Sequence, residues 1–167
     1  LGHKIPEDVT EFRHGLREYL KENIKCIDKL IHIGPSGKKS PDFKFGAKNT
    51  EKIMQKIYSE SVDYNQCVGK SHWMDTMEVL PLIASKYQIS IVCYGKESNT
   101  NWLSTTLCNY SADKERVELY SVPSCILCPP QGSLCLNHNG GDHYNYLDHK
   151  EISETVNNPD HEPIQYK

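Results

Sequence analysis

Two clusters of side chains carry potential chemistry. Asp142-His143-Tyr144-Asn145 follows a Gly140-Gly141 pair late in the chain. Residues two apart on a strand share a face, so on a strand His143 and Asn145 stand side by side with Tyr144 turned the other way. The amide oxygen of Asn145 would then accept from one ring nitrogen of His143 and leave the other free, while the two glycines allow a close approach. A lone histidine beside a turn is more often structural or solvated, and an Asn near a turn often bonds its own backbone. The second cluster, Cys125-x2-Cys128-x6-Cys135-x2-His138, has two short pairs of the kind that hold zinc. Its central spacer is shorter than in most zinc modules and contains Pro129-Pro130. The plainer expectation is a loop entering a strand with Cys135 buried, no metal and no cofactor.

The elements that must position these groups follow from periodicity. Pro6, Glu7, Asp8 and Glu11 suit a first helical turn. Val9, Phe12, Leu16, Tyr19, Leu20, Ile24 and Ile27 recur at steps of three and four, predicting an amphipathic helix over 8–31. Residues 34–41 are a loop by composition. A second helix begins near Asn49 or Thr50 and carries Ile53, Met54 and Ile57. A third begins near Asp75, which with Glu78 has capping-pair spacing, and buries Met77, Leu80, Ile83, Ala84 and Tyr87. Pro81 inside it is a conflict worth about 3 kcal/mol, so either the helix kinks there or it starts later. Ile89–Tyr94 is short, β-branched and nearly all apolar, which predicts a central strand buried on both faces. Trp73 is expected in the core. Residues 102–110 read either as a strand or as an irregular excursion, and further strands are expected over 117–122, 134–137 and 143–147, with a Gly-Gly turn between the last two. Helices first and strands mostly later argue α+β or a mixed-sheet α/β fold in one domain over 1–150, with a polar tail over 151–167.

Composition narrows the function. The chain has 167 residues, 37% hydrophobic and 25% charged, with a net charge of −3, which suits a globular domain. The first 60 residues carry 12 basic and 9 acidic residues (+3) and the remainder 7 and 13 (−6). Neither half has the basic excess of a nucleic-acid binder. No apolar run approaches the ~18 residues of a membrane span, and Leu1-Gly2-His3-Lys4 does not begin a signal peptide. The expectation is a cytoplasmic protein with no nucleic-acid or membrane partner, read from an N-terminus that looks like a cut. The seven cysteines are unevenly spaced, and several lie in apolar stretches, as buried free thiols do. The Asn109-Tyr110-Ser111 sequon is of a kind common by chance.

Three stretches, in order, resemble the ovarian-tumour (OTU) family of papain-like cysteine proteases. They are Phe12-Arg13-x3-Arg17-x-Tyr19-Leu20-x2-Asn23, Trp73-x4-Glu78-x4-Ile83-Ala84-x5-Ser90-Ile91-x2-Tyr94, and Asp142-His143-Tyr144-Asn145. They span about 12–150. The resemblance implies a papain-like fold in which N-terminal helices pack on a small mixed β-sheet. It implies hydrolysis of ubiquitin isopeptide bonds, with ubiquitin or a ubiquitin-conjugated protein as partner. His143 would serve as general base and then acid, and Asn145 would hold its tautomer. The family's nucleophile sits in an Asp-Gly-x-Cys segment at a helix start, where the dipole lowers the thiol pKa. No such segment occurs here, and by this alignment it would precede Leu1. Cys26 falls late in the first helix, Cys93 in a buried strand, and Cys67 well after the helix that should follow a nucleophile. The chain as it stands should therefore not cleave. Without the nucleophile helix it should also be unstable alone, since such a loss costs several kcal/mol of a total of about 5–15. The alternatives are a ubiquitin-binding pseudoenzyme, a viral or mobile-element polyprotein protease of the same fold, and a small zinc-stabilised interaction domain.

Overall fold

The computed structural model of the chain describes residues 4–33, 47–74, 76–96, 103–122, 132–138 and 144–146. Helix α1 (Val9–Asn23) starts where the Asp8 side chain accepts from the Glu11 N–H at 2.7 Å, satisfying one orphan donor of the first turn. Asp8 is thus the cap rather than part of the helix. Leu16 and Leu20 are fully buried, but Val9 is 39% exposed, so the apolar stripe faces the core only from its second turn on.

The helix expected over 8–31 ends at Asn23 instead. The Cys26 N–H closes a turn onto the Asn23 carbonyl at 2.9 Å. A single helical turn, α2 (Ile27–Leu30), follows, and the chain then becomes strand β1 (Ile31–Ile33). Ile27 and Ile31 fit a helical repeat, which is why the periodicity runs on. Parallel pairing of Ile31–Ile33 with Val117–Leu119 overrides it.

Helix α3 (Ala47–Ile57) buries Thr50, Ile53 and Ile57 at steps of three and four. Helix α4 (Thr76–Tyr87) runs through Pro81. The missing N–H and ring clash cost about 3 kcal/mol. Burial of Val79, Leu80, Leu82 and Tyr87, at roughly 1.5–3 kcal/mol for a large apolar side chain, outweighs that. Asp75 lies outside the described residues. The helix ends in a left-handed residue, Gln88 (φ 54), and the Ile89 N–H reaches back to the Ala84 carbonyl at 3.1 Å, the bond of a Schellman cap.

Among the described residues six strands form one mixed sheet in the order β1-β4-β3-β2-β5-β6. These are β2 (Ile91–Lys96), β3 (Leu103–Ser111), β4 (Arg116–Val122), β5 (Leu134–His138) and β6 (Tyr144–Tyr146) beside β1. β1 pairs parallel with β4, and β2 parallel with β5; the other three ladders are antiparallel. Hence β1, β2, β4 and β5 share one direction. The helices bury one face of the sheet, where Leu16, Leu20, Ile53, Ile57 and Leu82 meet Ile91, Cys93, Cys108, Val117 and Leu119. The alternate residues Val92, Tyr94, Leu107 and Cys135 are buried on the opposite face. Strand β2 is therefore buried on both sides, as its unbroken apolar text predicts.

Trp73, expected in the core, is 43% exposed. Its Nε1–H donates to the Val68 carbonyl at 3.2 Å, and the Lys70 ammonium lies 5.8 Å from the ring centre. The indole is held by its own neighbours instead of packing beneath α4.

Candidate functional site

Of the His143–Asn145 pair, the described residues include only Asn145, in β6 at the outer edge of the sheet. β5 runs parallel to the central strand β2, pairing Tyr94 with Asn137 and Gly95 with His138. β6 returns antiparallel on its outer side, pairing Asn137 with Asn145 and His138 with Tyr144. The Gly-Gly turn expected between these two strands falls on residues 139–143, outside the described residues. Asn145 therefore lies in a register row with Asn137 and Tyr94, near the carboxyl ends of β2 and β5. In α/β sheets that end is where ligands and catalytic side chains collect. His143, Asp142, Gly140 and Gly141 lie outside the described residues, as does the tail over 151–167.

The cysteines divide by environment. Cys93, Cys108 and Cys135 are 5%, 0% and 2% exposed. Burial pushes the Cys93 thiol from an ordinary 9.0 up to about 11. Cys108 is driven up further, by burial first and then by Cys93 on the neighbouring strand. Burial also raises Cys135. A nucleophile or metal ligand needs the thiolate, and these three sites oppose it. Cys26, half-buried in the turn after α1, donates to the carbonyl and side-chain oxygens of Asn23 at 3.4 and 3.7 Å. Cys67 is exposed in the connection between α3 and α4. None of these five follows an Asp-Gly-x step.

Of the zinc-spaced cluster, Cys125 and Cys128 lie outside the described residues. Cys135 is buried at the second position of β5, as the plainer reading has it. Among the described residues no group of three or more His, Cys, Asp or Glu side chains is placed to hold a metal. Among them, too, no helix is long and apolar enough to cross a membrane. Asn109 of the sequon lies in the last third of β3, where its side-chain oxygen accepts from Ser90 at 3.1 Å.

One cluster escaped the sequence reading. Arg13 is 8% exposed among the apolar residues of α1, against the face of Tyr64. Its spacing to Leu16 and Leu20, three and seven residues on, was the available signal, since it puts a guanidinium on the buried stripe.

No protein-family model matches the chain, and no curated protein matches its sequence. An OTU deubiquitinase from Wolbachia pipientis wMel, solved as a crystal structure bound to ubiquitin, is similar in structure with a TM-score of 0.44. The two are 14% identical, and the match covers 83% of this chain and 76% of that one. A likeness of that size fixes neither family nor function.

Proposed function

We propose that residues 1–150 form an OTU-type domain of the deubiquitinase class. In this reading His143 is the general base, Asn145 holds its imidazole, and ubiquitin is the partner. What supports it is the order of three stretches along the chain. The first lies in α1, the second runs from Trp73 through α4 into the buried strand β2, and the third ends in β6. A thiolate, an imidazole and an orienting group make one catalytic unit. The imidazole and the orienter are present in the sequence, and the nucleophile is not. In this proposal the cysteine comes from sequence outside these 167 residues, so the chain by itself does not hydrolyse isopeptide bonds.

Reading the native transcript upstream of the Leu1 codon tests this. An in-frame Asp-Gly-x-Cys followed by an apolar helix is the expected result. A frame lacking that cysteine overturns the protease reading. Titration with ubiquitin then decides between a selected binding module, which saturates, and a chain that never engaged ubiquitin, which does not.

A further inference from the structure

The connection Tyr58–Trp73 between α3 and α4 contains only one short 3-10 turn, Lys70–His72. Its hydrogen bonds are almost all its own. The Ser59 N–H donates to the Tyr64 hydroxyl at 2.7 Å, Val62 to Ser59, Gln66 to Asp63, His72 to Gly69, and the Trp73 indole to Val68. Apart from Tyr58 closing the last turn of α3, one side chain among the described residues bonds into the segment from outside it. That side chain is Arg13 of α1.

The Arg13 guanidinium donates through one nitrogen to the Ile57 carbonyl at 3.1 Å and the His72 carbonyl at 3.2 Å, with Lys56 at 3.4 Å. Its central carbon lies 4.5 Å from the centre of the Tyr64 ring. Tyr64 is 6% exposed, stacks on Tyr58 at 5.7 Å and meets the His72 ring edge-on at 6.4 Å. Arg17 covers Tyr58 at 5.9 Å. Among the described residues no carboxylate forms an ion pair with Arg13. Its charge is offset by the carbonyl end of α3 and by the negative face of the ring. One planar group thus joins α1, the end of α3 and the end of the connection, a geometry that the compact ammonium of lysine does not reproduce.

We propose that Arg13 is a latch and Tyr58–Trp73 a strap that opens as one unit, separately from the sheet. A segment with few ties to the rest of a domain opens at lower free energy than its core strands. Opening withdraws the Tyr64 ring from Arg13 and moves the exposed indole of Trp73, so the surface presented by the strap depends on the α1 side chain that hydrogen-bonds to it, with His14 and Arg17 adding only ring contacts at Tyr58.

Amide hydrogen exchange on the whole chain, read residue by residue, tests this with Arg13→Lys, Arg13→Met and Tyr64→Leu. The expected result is exchange at least tenfold faster at Val62, Gln66, His72 and Trp73 in all three variants, with β2 and β3 amides at wild-type rates. Unchanged strap rates, or equal acceleration of strap and sheet, overturn the proposal. So does failure of both Arg13→Met and Tyr64→Leu to fold, because the strap is then inseparable from the core.

Discussion

Asn145 pairs with Asn137 across the β5–β6 ladder, and Asn137 pairs in turn with Tyr94 of the buried central strand. The orienting residue of the proposed pair thus stands two strands from the centre of the sheet, on a strand of three residues. The pair is useless without a thiolate beside it. The 167-residue chain is therefore expected to leave Lys-linked diubiquitin intact over hours on a denaturing gel. Cleavage that iodoacetamide blocks would place the nucleophile among the seven cysteines after all.

The burial of three thiols gives a reactivity order. Cys67 is exposed, while Cys93, Cys108 and Cys135 are shielded and their thiols raised. Alkylation of the native protein near pH 8, read by mass spectrometry, should modify Cys67 early and these three only on unfolding.

The same thiols set a pH dependence. Their folded-state values lie above those of the unfolded chain, so the stability tied to the neutral form is complete below the ordinary value. It is lost as pH rises through the folded one. For Cys93 that window runs from 9.0 to about 11, and burial of Tyr19 and Tyr87 adds a loss of the same sign above the ordinary 10.0. Denaturant midpoints should fall as the buffer is taken from pH 8.5 to 11. A flat profile would mean that these groups ionise alike in both states.

Helix α1 offers a contrast between two residues of one apolar repeat. Leu20→Ala removes a fully buried side chain and should cost about 2–5 kcal/mol. Val9→Ala, at an exposed site, should change stability by less than about 0.5 kcal/mol. Chemical denaturation of the two variants measures the difference.

At the end of α4, Gln88→Gly should stabilise by about 1 kcal/mol, because glycine tolerates the left-handed backbone there. A loss on this substitution would show that the Gln88 side chain contributes more than its backbone strain removes.

The helices and the central strand were legible because burial on one or two faces leaves a period in the text. Leu16 and Leu20 mark α1, Ile53 and Ile57 mark α3, and the unbroken run after Ser90 marks β2. What was hidden depends on partners distant in sequence. Ile31–Ile33 read as helix because only Val117–Leu119 makes it a strand. Trp73 is the exception, an apolar residue that read as core but whose indole is held locally by Val68 and Lys70. The Arg13–Tyr64 contact joins residues 51 apart with no repeat between them. For the site, alternation and the Gly-Gly signal found the strand that carries Asn145. The relation of His143 to it rests on sequence spacing alone.

The central claim is that Asn145 fixes the His143 imidazole. Nitrogen-15 NMR of the imidazole ring, with His143 assigned by its loss in His143→Gln, tests it without needing a nucleophile. A single neutral tautomer in the wild-type chain that becomes a mixture in Asn145→Ala, with β2 amide shifts unchanged, is the predicted result. A His143 ring that averages between tautomers in the wild type, as a free imidazole does, would contradict it.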